Sequence, residues 1–170
     1  MNIIRQLKLA DFLTMANLWC GVSAVIVASK GYSFLASILI LSSVFFDLLD
    51  GRIARYLNQV NMFGKELDSL SDIVSFGIGP VALFFSLSSL DALSIFGSIF
   101  FVSCAMLRLA RFNIKRLKHF EGVPITVNGI LFPFLFFLKM VLPDSLALWP
   151  FIFIVMGILM VSAFKVRKVF

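Results

Sequence analysis

The chain has 170 residues, of which 61% are hydrophobic and only 14% charged, with 21 phenylalanines and a formal net charge of +6. So few charges cannot cover the surface of a soluble domain of this length, so the composition points to a protein whose solvent is the bilayer. In such a chain a basic excess marks positive loops, and nucleic acid is not expected as a partner. Cys20 and Cys104 sit inside apolar runs without metal-ligand spacing and read as small buried hydrophobes, with no disulfide framework.

From Asn2 to about Asp11, Ile3, Ile4, Leu7 and Leu9 alternate with Arg5, Gln6 and Lys8, which suits a short amphipathic helix on the membrane surface. A signal peptide is the rival reading, but five further apolar runs favour a retained first span. The fold class expected is all-α and polytopic, with six transmembrane helices after the short N-terminal amphipathic one. The spans run about Phe12–Ser29, Tyr32–Asn58, Lys65–Leu87, Asp91–Lys115, Thr126–Val141 and Leu146–Phe164. Crossing a core of ~30 Å takes ~20 residues, so the fifth span is short. Brief links make antiparallel neighbours and a compact bundle. Pro80 in Gly77-Ile-Gly-Pro80 removes a backbone donor and is expected to bend the third span. No internal repeat is visible, and residues 1–170 read as a single domain.

With both termini on one face, that face carries 13 of the 15 Lys and Arg residues, leaving Lys30 and Lys139 on the other. The termini and the acidic cluster described next are therefore expected on the cytoplasmic side of the cell membrane.

Asp47 and Asp50 stand three apart in the second span, while Asp68 and Asp72 stand four apart in the third. Each pair shares a helix face, and two antiparallel helices joined by a tight loop bring the pairs together. A carboxylate in a bilayer costs roughly 2.5–3.5 kcal/mol on insertion scales, so four of them call for a compensating cation. Hard oxygen ligands suit Mg2+ or Mn2+. Two such ions ~3.5–4 Å apart would clamp a phosphate. Gly51 and Ala54 keep the helix surface low beside Asp50, and Arg55 offers a forked donor to a pyrophosphate. Taken singly, Gly51 reads equally as a packing contact and Arg55 as an anchoring end residue.

The segment Asp47–Asp72 reads D-x2-D-G-x2-A-R-x8-G-x3-D-x3-D, and in this it resembles the CDP-alcohol phosphotransferase family at every fixed position. The resemblance implies a six-helix membrane enzyme, usually a homodimer, that moves a phosphatidyl-type group from a CDP-linked donor to an alcohol and releases CMP. It implies that Asp47, Asp50, Asp68 and Asp72 ligate two divalent cations, with Asp72 also the general base. Gly51, Ala54 and Arg55 would meet the CDP moiety, as would Asn61 and, less directly, Asn17. The runs Glu66–Pro80, Leu107–Asn113 and Phe120–Pro124 resemble the integral-membrane serine-using branch of the family, which implies a CDP-diacylglycerol-type lipid and L-serine as substrates. Arg108 and Arg111, at the end of the fourth span, would hold the serine carboxylate, and Asn113 and Glu121 its ammonium. Ordinary positive-inside anchoring explains the two arginines as well. His119, alone in a basic loop, reads as solvated. Glycerol phosphate or inositol phosphate as acceptor is the alternative within the family. A cation transporter is the alternative outside it, disfavoured because all four acids lie towards one face and no repeat appears.

Overall fold

The computed structural model describes residues 8–58, 60–114, 120–162 and 165–166, the side chains of 120, 121, 165 and 166 excepted. Among the described residues, seven α-helices run in order: α1 Leu9–Ser29, α2 Ser33–Tyr56, α3 Met62–Asp72, α4 Gly79–Phe85, α5 Ala92–Ile114, α6 Thr126–Val141 and α7 Trp149–Val161. A π-helical turn, Ile73–Ile78, fuses α3 to α4, and a 3-10 segment, Pro143–Leu148, leads into α7. Five of the resulting units are long and apolar enough to cross a membrane, with α6 a shorter apolar sixth. The polytopic all-α expectation is thus met. A small antiparallel β pair, β1 Phe120–Glu121 with β2 Lys165–Val166, adds a clasp between the α5–α6 link and the end of the chain.

The helix ends differ from expectation in one informative place. Leu9, Ala10 and Asp11, read as part of a surface helix, belong to α1 itself. The cause is local: the Asp11 carboxylate accepts the Lys8 backbone N–H at 2.8 Å, which starts the helix there. The rest of the expected amphipathic segment lies outside the described residues. At its sixteen residues α6 spans about 24 Å, and the chain turns at Leu142 and Pro143 into the 3-10 segment.

Pro80 was expected to bend the third span, and what precedes it in the structure is a wider helical turn. Pro80 cannot donate to the carbonyl four residues back, and the Gly79 N–H bonds Val74 O five residues back. This π turn begins immediately after Asp72. It is held against α1 by two serines, Ser71 donating to Thr14 O at 3.1 Å and Ser75 to Asn17 O at 3.2 Å. Gly21 makes the approach possible, since a Cβ there would overlap Ser75 backbone and side chain alike. Gly129 does the same for α6, where a Cβ would lie 2.5 Å from Phe76 and Val44.

The apolar core fills the end of the bundle away from the aspartates. Phe84 stacks on Trp149 with centroids 5.8 Å apart, and Phe132 on Phe153 at 4.6 Å. Phe101 closes the cluster edge-on to Phe132. Outside the bundle, Trp19, Ile26, Phe45, Phe96, Ile99 and Phe134 are well exposed, an arrangement that suits lipid and would be costly in water.

Candidate active site

The antiparallel pairing of α2 with the α3–π unit, both packed on α1, carries the two Asp pairs to one place. Asp47, Asp50 and Asp68 each offer a carboxylate oxygen within 4.8 Å of the other two. Asp72 lies one turn beyond Asp68, within hydrogen-bonding reach of Asp47. All four sequence-derived acids are therefore brought together. Like charges so close repel unless a cation or a shared proton intervenes.

Neutral donors from helices outside the motif hold three of these carboxylates. Thr14 Oγ1 on α1 donates to Asp50 Oδ2 at 2.7 Å. Asn17 Nδ2, one turn along, donates to Asp72 Oδ1 at 3.3 Å. Thr126 Oγ1, in the first turn of α6, donates to Asp47 Oδ2 at 3.2 Å. Asp68 differs, because its Oδ1 is buried with no hydrogen-bond partner among the described residues. An orphaned carboxylate oxygen beside two other carboxylates is a donor set that fits a hard divalent cation. Asn17 is thus placed at an aspartate, where the sequence reading had put it in the lipid–nucleotide pocket. Thr14 and Thr126 were missed. Thr14 shares a helix face with Asn17, a signal that was available, whereas Thr126 has no local signal at all.

A cleft of about 320 Å3 opens from the acids, walled by α1, α2 and α3. Asp50, Gly51, Ala54, Arg55, Asn61 and Asp68 all line it, so the residues assigned to the CDP moiety, Asn17 excepted, do converge. Gly51 leaves open space: the nearest neighbour of a Cβ there would be Arg55 Nη1 at 3.9 Å. Asn61 has a structural task as well, since its Oδ1 caps α3 by accepting Gly64 N–H at 2.8 Å. Asp11 and Lys65 also line the cleft and were not singled out from the sequence. Lys65 Nζ donates to Phe112 O at 2.9 Å and lies over the Phe112 ring, tying α3 to α5.

The residues assigned to serine separate. Arg108 is buried, with Nε lacking a hydrogen-bond partner among the described residues, and is close enough to Asp72 and Asp47 for charge attraction. Arg111 turns away, its guanidinium donating to Val161 O at 3.0 Å and Ser162 O at 3.3 Å at the end of α7. Asn113 donates to Glu66 Oε2 at 2.9 Å and exchanges a hydrogen bond with Ser69, joining α5 to α3. The Glu121 side chain and His119 lie outside the described residues.

A helical membrane bundle with a carboxylate quartet above a nucleotide-sized cleft defines a class, and comparison with known proteins agrees. Residues 7–166 match the CDP-alcohol phosphatidyltransferase family, and the chain belongs to it. It is a membrane enzyme of phospholipid synthesis, in a family that uses a divalent metal.

Individual relatives narrow the comparison. The chain is 35% identical over 167 residues to a CDP-diacylglycerol–serine O-phosphatidyltransferase of Methanocaldococcus jannaschii, covering 98% of this chain and 77% of the relative. It is 34% identical over 173 residues to an archaetidylserine synthase of Methanothermobacter thermautotrophicus, covering 99% and 73%. A CDP-diacylglycerol–serine O-phosphatidyltransferase of Bacillus subtilis is 36% identical over 122 residues, 69% of each chain.

Proposed function

We propose that this enzyme transfers a phosphatidyl-type group from CDP-diacylglycerol, or its ether-lipid equivalent, to the hydroxyl of L-serine, giving the phosphoserine lipid and CMP. The observation that carries the reading is the convergence of Asp47, Asp50, Asp68 and Asp72, two of which, Asp50 and Asp68, line the cleft. The serine-specific names of the relatives support the choice of acceptor.

Asp47, Asp50, Asp68 and Asp72 would hold two divalent cations, Mg2+ or Mn2+. Bound there, the cations would neutralise the carboxylates and draw charge from the pyrophosphate as it breaks. The chain's own residues do the rest. Gly51 and Ala54 let the nucleotide approach α2, and Arg55 donates to its phosphates. Asn17 holds Asp72 Oδ1, leaving Oδ2 to accept the serine hydroxyl proton. The serine oxygen then forms a bond to the β-phosphorus while the bond from that phosphorus to the CMP oxygen breaks. The proton leaves through Asp72, and CMP carries away the electron pair. No covalent enzyme intermediate is needed, and most of the acceleration comes from positioning and charge stabilisation.

Of the two arginines, Arg108 is the acceptor ligand in this reading, its Nε, without a partner among the described residues, matched by the serine carboxylate. Arg111 supports it by fixing α5 to the end of α7. The aspartates face the cytoplasm with both termini, following the 13-to-2 distribution of Lys and Arg, and the enzyme works as a homodimer.

The test is CMP release by the purified protein with CDP-diacylglycerol and Mg2+ or Mn2+, with and without L-serine. Serine-dependent release that Asp72→Asn abolishes is the expected result. Release that ignores serine but answers to glycerol phosphate or inositol phosphate would discard the acceptor and keep the chemistry.

A further inference from the structure

We propose that Ser75 is a positioning residue for the transfer, holding the backbone of Asn17 so that the Asn17 amide meets Asp72; the inference deepens the proposed function and rests on it.

Asn17 is gripped twice by one short stretch of chain. Its side-chain Nδ2 donates to Asp72 Oδ1 at 3.3 Å, and its backbone carbonyl accepts the Ser75 hydroxyl at 3.2 Å. Asp72 and Ser75 stand three residues apart, so the two bonds close a ring between α1 and the α3–π unit. Asn17 and Ser75 are both fully buried, at 0% exposure. The other end of the amide does nothing to aim it, because Oδ1 is buried with no hydrogen-bond partner among the described residues. The direction of the amide therefore depends on where the Asn17 backbone lies. Ser75 fixes that place.

The π turn is what brings Ser75 into register. Ser71 donates to Thr14 O and Ser75 to Asn17 O, so four residues on the α3–π unit match three on α1. Three α-helical residues advance about 4.5 Å and four about 6 Å, so two regular helices would fall out of step. A π turn closes from i to i+5 instead of i to i+4, and so takes up one extra residue. The bond from Gly79 N–H to Val74 O is such a closure, and Pro80 has no N–H to offer Phe76 O in its place. Gly21 completes the fit, since a Cβ there would lie 2.8 Å from Ser75 Cα. Ser75 thus rests on bare α1 backbone at the turn that carries Asn17.

The test is a double-mutant cycle on the full chain in detergent at saturating Mn2+. Ser75→Ala is expected to lower kcat for serine-dependent CMP release about tenfold, with both KM values within about twofold of the wild type. Asn17→Ala should lower kcat by at least as much. Because Ser75 acts through Asn17, adding Ser75→Ala to Asn17→Ala should cost no further activity. Asn17→Leu repeats the cycle with the side-chain volume kept. Ser71→Ala removes a matching bond, to Thr14 O, and its effect should add to that of Asn17→Ala. Electron paramagnetic resonance titration of Mn2+ on the same proteins reads the coupling without turnover, since Asp72 is a metal ligand in this reading. A kcat that Ser75→Ala leaves unchanged, or lowers by equal factors with and without Asn17, overturns the inference and leaves Ser75 as a packing contact. Coupling in Mn2+ binding from a wild type that releases no CMP keeps the positioning of Asp72 and overturns the transferase reading itself.

Discussion

The hydroxyl of Thr126 donates to Asp47 Oδ2 at 3.2 Å, joining residues 79 positions apart in the chain. Through this contact the first turn of α6 orients an acid in the middle of the site, while Thr14 does the same for Asp50 from α1. Outer partners of this kind fix the direction of a ligand's lone pairs, and their loss typically costs 10–100-fold in metal affinity or activity. Thr126→Val and Thr14→Val are each expected to weaken Mn2+ binding by about that factor. Thr→Ser should restore it. Electron paramagnetic resonance titration of Mn2+ reads the effect without turnover.

Metal removal provides a second prediction. Chelation by EDTA should abolish CMP release, and added Mg2+ or Mn2+ should restore it. Asp68→Asn should bind Mn2+ more weakly than Thr126→Val does, because it alters the carboxylate whose Oδ1 no described residue satisfies. Retained activity in EDTA would refute the cation site.

Arg108 and Arg111 should behave differently although they stand one turn apart. Arg108→Gln is expected to raise the KM for serine at least tenfold, as loss of a charge-assisted pair does, with the KM for the CDP-lipid little changed. Arg111→Gln should instead lower the melting temperature, because it removes the donor to the carbonyls of Val161 and Ser162 at the end of α7. Substrate-concentration series and thermal unfolding in detergent separate the two.

Gly129→Ala tests the packing that places α6. The added methyl would press on Phe76 and Val44, each 2.5 Å from the new carbon, and overpacking of this kind costs about 1–3 kcal/mol. A shift of α6 would also carry Thr126 away from Asp47. Reduced thermal stability together with weaker Mn2+ binding is expected.

Asp91, the residue just before α5, gives a pH-dependent prediction outside the membrane-spanning helices. Its carboxylate accepts the Ser94 N–H at 3.1 Å and the Ser94 hydroxyl, which together hold it below the usual carboxylate range. A depressed folded-state value means that the stabilisation is present above the unfolded-state pKa and disappears as pH falls through the folded one. Asp91→Ala should therefore lower the melting temperature at neutral pH. The difference from the wild type should shrink on acidification and level off once both states are protonated.

The sequence by itself determined those features that depend on short spacings. Apolar run lengths set the spans, because crossing a bilayer fixes a minimum length. Asp47 with Asp50, and Asp68 with Asp72, are legible as pairs because three- and four-residue spacings share a helix face. Gly51, Ala54 and Arg55 follow from the same face, and the motif they complete carried the family. Pro80 announced a distortion, though its form as a π turn after Asp72 depended on which carbonyl Gly79 could reach.

Only the tertiary structure decided which helix supplies each aspartate with its hydrogen bond. Thr126 meets Asp47 because Gly129 lets α6 settle against α2 and the π turn, and nothing near Thr126 in the chain encodes that. The same holds for the division between Arg108 and Arg111. On one helix both look like cations at a membrane face, and only the position of α7 turns one to the carbonyls of Val161 and Ser162 while the other stays by the acids. Helix periodicity is a local property of the backbone, whereas a contact between helices is fixed by how their surfaces pack.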